Sequence, residues 1–221
     1  MIQFKPTDRH DFDEILRLVR PGARVLDVAC GEGVLLERLR AEKDVDGRGV
    51  EIGAAEVSAC LAKGLAVMQG DAERDLAEFS DASFDYAILS QALQAMRNPR
   101  TVLEELLRLA DRAIVSFPNF AHWRVRASLM VRGRMPETRA LPEAWWATSN
   151  IHLCTLRDFT DLCQELGLRI EAAAALVQNR PARAMNALGP LENWRAEQAI
   201  FLLSRRTATH PIETEQRDLF A

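Results

Sequence analysis

Apolar positions follow two alternating rhythms along this chain. Phe12, Ile15, Leu16 and Val19 fall at helical spacing, which predicts a helix over residues 8–20 that Pro21-Gly22 ends. The short apolar run from Arg24 to Ala29 then reads as a buried strand, and Val34, Leu35, Leu36 and Leu39 restore the helical spacing to about Ala41. The alternation continues with a strand at Gly47–Ile52, a helix at Ala54–Lys63 closed by Gly64, and strands at Leu65–Gln69 and Phe84–Ser90. Asn98-Pro99 opens a further helix that runs to about Leu109, and Arg112–Phe117 is a fifth strand. Strands alternating with helices imply an α/β fold with a mostly parallel sheet and right-handed crossovers.

Beyond Pro118 the rhythm loosens. His122–Val131 is helical in period, and Gly133–Ile151 is irregular and rich in Pro and Trp. Thr155–Leu166 reads as a helix, with Thr155 as N-cap and Asp158 at the third helical position. Leu168–Val177 and Gln198–Arg205 are two closing strands, and Gln178–Trp194, with Pro181, Gly189 and Pro190, reads as a loop. The expectation is a Rossmann-like, mostly parallel seven-stranded sheet with helices on both faces and an antiparallel last strand. A single domain would cover residues 1–206: a helix at 8–20, a cofactor half at 24–117 and a partner or substrate half at 118–206. Residues 207–221 are polar and expected to be disordered.

Composition narrows the function classes. The chain has 221 residues, 48% of them hydrophobic, and a formal net charge of −4, which argues against general nucleic-acid binding. No apolar run is long enough to span a bilayer, and Met1–Pro6 lacks the apolar core of a signal peptide. Cys30, Cys60, Cys154 and Cys163 show no C-x-x-C spacing. They read as reduced core residues of a cytoplasmic protein rather than a metal site or a disulfide pair.

Three points at strand ends carry candidate chemistry. The first is the turn Asp27-Val28-Ala29-Cys30-Gly31-Glu32-Gly33, where Gly31 and Gly33 let the backbone reverse and present N–H groups at a helix start. The second is Glu51, followed by Ile52, whose carboxylate can accept hydrogen bonds from both hydroxyls of a ribose. The third is Gly70-Asp71-Ala72, where Asp71 can accept from an adenine amino group. Each alone has a plainer reading: a common turn, a solvated strand-end charge, a helix cap. Together, at the ends of three neighbouring strands, they point to an adenosine-type cofactor. Leu36 occupies the position where a pyrophosphate turn carries its third glycine, and no G-x-x-x-x-G-K-[ST] is present. S-adenosylmethionine, or S-adenosylhomocysteine, is therefore preferred over a dinucleotide or nucleoside triphosphate. Ser90 and Gln91, at the end of the fourth strand, complete the candidate cofactor set and mark the natural place for a methyl acceptor.

Asp27-x-Ala29-Cys30-Gly31-Glu32-Gly33 resembles the D-x-G-x-G-x-G signature of class I S-adenosylmethionine-dependent methyltransferases, with Ala29 in place of the first glycine. That alanine adds a methyl group close to where the cofactor's methionine moiety would lie. The later runs are more specific: Ala113-Ile114-Val115-Ser116-Phe117-Pro118-Asn119-Phe120-Ala121-His122-Trp123-Arg124-Val125-Arg126, Arg132-Gly133-Arg134-Met135-Pro136, and Asn150-Ile151-His152-Leu153-Cys154-Thr155. From Val25 to about Ile170 the chain resembles the MetW family of methionine biosynthesis. The resemblance implies a class I methyltransferase fold that binds S-adenosylmethionine and supports or activates homoserine O-acyltransferase (MetX). It names no methyl acceptor.

Two readings stay open on the residues. In one, the chain is a cofactor-binding partner of the acyltransferase. In the other, it is an active methyltransferase of an unidentified small molecule, with His122 as the candidate base. Asn119, His122, Trp123, Arg124, Arg126 and His152 are the candidate substrate or partner residues, against the alternative that His122 orients its helix within the fold. Met130, Met135, Trp145 and Trp146 are expected to cover the pocket or pack on the core, with a partner-facing patch as the lesser alternative. Arg124, Arg126, Arg132, Arg134 and Arg139 read either as a solvated face paired with Glu137 and Glu143 or as a site for an anionic ligand or an acidic protein surface.

Overall fold

The structure, a computed structural model, describes residues 10–138, 140–177, 183–184 and 190–205. Its strands follow the order β3-β2-β1-β4-β5-β8-β6-β7. Two compact units divide the chain. One comprises the described residues up to Ser90 with Thr101–Ile114, and the other Gln91–Arg100 with the described residues from Val115 onward.

In the first unit, helix α1 (His10–Leu18) is followed by strand β1 (Arg24–Val28), helix α2 (Val34–Lys43), strand β2 (Asp46–Glu51), helix α3 (Ala54–Ala62) and strand β3 (Ala66–Gln69). Strand β4 (Phe84–Ser90) and most of helix α4 (Pro99–Leu109) complete it, and the first half of strand β5 (Ala110–Pro118) belongs to it as well. Strands β1–β4 pair in parallel. Val25, Leu26 and Val28 are fully buried, which is why this strand reads as a continuous apolar run rather than an alternating one. The register sets Val28 opposite both Val50 and Leu89, and Glu51 opposite Gln69. Ala29, Glu51 and Gly70 therefore emerge at one edge of the sheet, where open α/β sheets bind ligands.

The second unit contains the rest of β5, a short helix α5 (Trp123–Ala127), helix α6 (Leu156–Glu165), strand β6 (Leu168–Leu176), the two-residue strand β7 (Arg183–Ala184), helix α7 (Pro190–Arg195) and strand β8 (Gln198–Arg205). Strand β6 pairs antiparallel with both β7 and β8. Phe117, Phe159 and Phe201 form its aromatic core, with ring centroids 4.7–5.6 Å apart. Thr155 and Asp158 close a full capping box on α6.

The mostly parallel sheet with antiparallel closing strands is as expected, the two-residue β7 adding an eighth strand to seven longer ones. Two local expectations are corrected. The segment read as a helix over His122–Val131 is α-helical only for Trp123–Ala127, and Ser128–Arg132 widens into a π turn. The segment read as a loop over Gln178–Trp194 holds β7 and the start of α7. Pro190 sits at that helix's first position, where its missing N–H has no partner to lose. Arg139 and the tail from residue 206 lie outside the described residues.

Candidate functional site

The glycine turn owes its shape to three left-handed residues. Ala29 has φ 57°, Gly31 φ 54° and Gly33 φ 73°. For Ala29 that conformation costs about 1–2 kcal/mol relative to an ordinary one. At Gly33, a Cβ would stand 2.5 Å from Leu65 Cδ1 and 2.8 Å from Cys60 Sγ, so both the dihedral and the packing require glycine. Gly31 is the opposite case, since nothing lies within 4 Å of where its Cβ would be.

The turn's own N–H groups are largely used. Ala29 and Cys30 donate to Val50 O (2.8 and 3.3 Å), Gly33 to Cys30 O (3.0 Å) and Gly31 to Glu51 Oε2 (2.8 Å). These bonds fix the turn itself, and the N-cap of α2, Gly33, makes no side-chain cap bond. Glu51 also accepts from Gly53 N–H through Oε1 (2.9 Å) and is nearly buried. It fastens the end of β2 to the β1 turn, and each carboxylate oxygen keeps accepting capacity for a further donor. Ile52 is largely exposed beside it, its carbonyl accepting from Gln69 Nε2 (3.3 Å). Gly70 N–H donates to Glu51 O (2.9 Å), which brings the third point against the second. Asp71 holds a local turn: Oδ1 accepts from Glu73 N–H (2.9 Å), and its own N–H donates to Asp75 Oδ2 (2.7 Å). Ala72 is half-buried, and Asp27 is buried at the end of β1.

Beneath the turn, Cys60 Sγ donates to Gly31 O (3.2 Å), and Cys30 packs against Leu36, Cys60 and Leu65. Burial, reinforced by Asp27 and by Cys60, pushes the Cys30 thiol far up. Burial likewise raises Cys60, and takes Cys154 and Cys163 to about 12. All four thiols are free, and at neutral pH they are protonated and poor nucleophiles.

The sequence reading missed two acids. Ser90 Oγ donates to Asp11 Oδ2 (2.7 Å), and Asp11 and Glu14 are almost completely buried on α1. Burial raises the Glu14 pKa against the opposing pull of Arg17, 3.1 Å away. A signal was present: Asp11 lies four positions before Ile15 and Glu14 four before Leu18, so both share the helix face of buried apolar residues.

In the second unit, Gln91 is left-handed at φ 57°, and its N–H donates to Ser116 O (2.9 Å) and Oγ (3.1 Å). Asn119 is buried, and its side chain is fully engaged with Asn193 O, Ala196 O and Ala121 N–H at 2.8–3.0 Å. Its role there is to hold the β5 exit against the α7 segment. His122 is the N-cap residue of α5, and it lines a small cleft with Arg124, Thr138, Leu141 and Glu197. Burial lowers its pKa, Glu197 opposing and Arg124 assisting, so the imidazole is neutral at pH 7. Trp123 and Arg124 are exposed, with the guanidinium 5.4 Å from the indole centroid. Arg126 Nε donates to Ala121 O (2.6 Å). His152 is exposed, its Nε2 3.3 Å from Arg97 O.

The apolar residues expected to cover a pocket or pack on the core are in solvent instead. Met130 is 84% exposed, Trp146 74%, Trp145 69% and Met135 39%. They lie on the π turn and the irregular stretch after it, whose buried apolar residue is Leu141 instead. Glu143 accepts from Ser149 N–H (3.3 Å).

Comparison with known proteins places this architecture. A solved S-adenosylmethionine-dependent methyltransferase from Thermotoga maritima superposes with a TM-score of 0.64 at 16% identity, covering 89% of this chain and 91% of that one. A second, from Mesorhizobium loti, gives 0.62 at 18% identity, covering 86% and 96%. The fold is that of the class I S-adenosylmethionine-dependent methyltransferases. The family described as methionine biosynthesis protein MetW matches residues 9–203, and the chain belongs to that family. A curated relative from Rhodopirellula baltica, the bifunctional methionine biosynthesis protein MetXA/MetW, is 34% identical over 170 residues. The match covers 73% of this chain and 27% of that relative's length. The ubiquinone biosynthesis O-methyltransferase of Hahella chejuensis is 28% identical over 185 residues, covering 72% of this chain and 76% of that one.

Proposed function

We propose that this chain is a cytoplasmic S-adenosylmethionine-binding protein of methionine biosynthesis that associates with homoserine O-acyltransferase and raises its activity. The observation that carries the partner is the Rhodopirellula baltica relative, whose name joins MetXA to MetW in one polypeptide. Proteins fused in one organism hold each other at high effective concentration. Separate chains with the same relationship need a binding surface to achieve the same proximity.

The first unit supports the cofactor. Most of the N–H groups of the turn are already bonded, so a pyrophosphate would find few donors there. Asp27 and Glu51 place two carboxylates beside it, which suits a sulfonium cation and disfavours a phosphate. In this reading Glu51 accepts from the ribose hydroxyls through its remaining lone pairs. Gly31 leaves the backbone open for close approach, Ile52 covers one side of the adenine, and Asp71 with Gly70 and Ala72 meets the ring edge. Asp27, Ala29, Cys30 and Gly33 shape the turn, and Ser90 borders the sulfonium end.

Gel filtration of the purified chain mixed with homoserine O-acyltransferase from the same organism tests this reading. Co-migration is expected; separate elution at micromolar concentrations contradicts it.

A second reading, methyl transfer to a small molecule, draws on the O-methyltransferase relative and on His122, whose depressed pKa leaves it a neutral base at pH 7. Release of S-adenosylhomocysteine in the presence of an acceptor, abolished by His122→Ala, would establish it.

A further inference from the structure

We propose that the exposed face built by Trp123, Leu129, Met130, Val131 and Trp194 is the surface on which homoserine O-acyltransferase docks. This rests on the reading of the chain as that enzyme's partner and adds where the partner sits. After Ala127 the helix widens into a π turn over Ser128–Arg132. Such widenings often occur at functional positions. This one turns three consecutive large apolar side chains into water, Leu129 at 45%, Met130 at 84% and Val131 at 77% exposure. Single exposed apolar residues are ordinary, but adjacent ones are not. At the start of the same segment, Trp123 lies 6.0 Å, ring to ring, from Trp194 of α7, and both rings are more than two-fifths exposed. Tryptophan, methionine and arginine are the residues over-represented at protein interfaces.

The charge around this face says what fits it. From Trp123 to Met135 there are four arginines and no acid, in a chain whose net charge is −4. Among the described residues, Arg124, Arg132 and Arg134 form no ion pair, so the apolar centre has an unneutralised basic border. A second copy of this chain, packed by two-fold symmetry, would set arginine against arginine. The face instead fits a folded protein with an apolar patch bordered by carboxylates, and the MetXA portion of the Rhodopirellula baltica relative supplies the identity of that protein.

The test is the dissociation constant between the full chain and purified homoserine O-acyltransferase. It is measured for the wild type, for Met130→Asp with Val131→Asp, and for Arg132→Glu with Arg134→Glu. All four positions are solvent-exposed, so thermal unfolding and S-adenosylmethionine binding should match the wild type. The expected result is at least about a tenfold weakening for each double variant, larger for the apolar one. Wild-type binding that both variants retain overturns the surface and leaves the partner reading intact. Absence of wild-type binding overturns both. Wild-type self-association, or sedimentation with anionic phospholipid vesicles, that the apolar variant abolishes also overturns it, because another occupant then holds the face.

Discussion

In the first unit the large apolar side chains left in solvent, among the described residues, are Ile52, Leu61 and Met68, none adjacent to another in sequence. In the second they run from Trp123 through the π turn to Trp145, Trp146 and Trp194. The polar groups show the reverse. The first unit concentrates buried carboxylates, Asp27 and Glu51, around a turn that is nearly self-satisfied in hydrogen bonds. The second uses a buried amide, Asn119, to tie loops together and keeps its arginines outside. A turn that rigid is suited to a small ligand that must be met in one geometry, whereas an apolar face with a charged border suits a protein. In the proposed reading the ligand belongs to the first unit and the partner to the second.

Breaking the turn should have the largest effect. Gly33→Ala forces a Cβ against Leu65 and Cys60 in a left-handed conformation, and should cost about 2–4 kcal/mol in a denaturant titration. A loss below half a kilocalorie would mean the packing relaxes freely. Glu51→Ala removes the proposed ribose acceptor and also releases Gly31 and Gly53, so affinity for S-adenosylmethionine should fall by about 1–3 kcal/mol, read by calorimetry. Glu51→Gln, which keeps one acceptor, should fall less; equal affinity in all three proteins would refute the role.

His122 sharpens the second unit through pH. Its folded pKa is depressed by burial, so the unfolded chain takes up a proton first as pH falls through about 6.5. Its stabilising contribution is therefore present above that pH and lost below it. His122→Gln should flatten the drop in unfolding free energy between about pH 7 and 5. The smallest effect is expected at Ala29, where Ala29→Gly relieves the left-handed strain and should raise stability by about 0.5–1 kcal/mol in the same titration.

Strands β1 and β4 were legible because each is a largely buried, nearly continuous apolar run that needed no tertiary information, whereas β2 and β3 are short and exposed over much of their length and were marked by the glycines around them. Gly31, Glu51 and Asp71 were recoverable as a set because parallel pairing carries strand ends to one edge. That Glu51 bonds the Gly31 N–H twenty residues away depends on the exact approach of two loops, which spacing does not encode. Asp11 was overlooked because acids on a surface helix ordinarily face water; its spacing to Ile15 was the only hint in the sequence, and its burial and the contact with Ser90 show where it lies. In the second unit helical periodicity ran straight through Ser128–Arg132, since an α-helix and a π turn share the same local composition. The exposure of Met130 and Val131 was hidden for the same reason: apolar residues at helical spacing read as core.

The central claim is that this chain raises the activity of homoserine O-acyltransferase by binding it. The most direct test is to titrate the purified chain into the purified acyltransferase with S-adenosylmethionine present and follow acyl homoserine formation. The account predicts activity that rises and saturates near equimolar chain, with Met130→Asp, Val131→Asp shifting the curve to higher concentration. Acyl transfer that stays unchanged at a tenfold excess of the chain would contradict it.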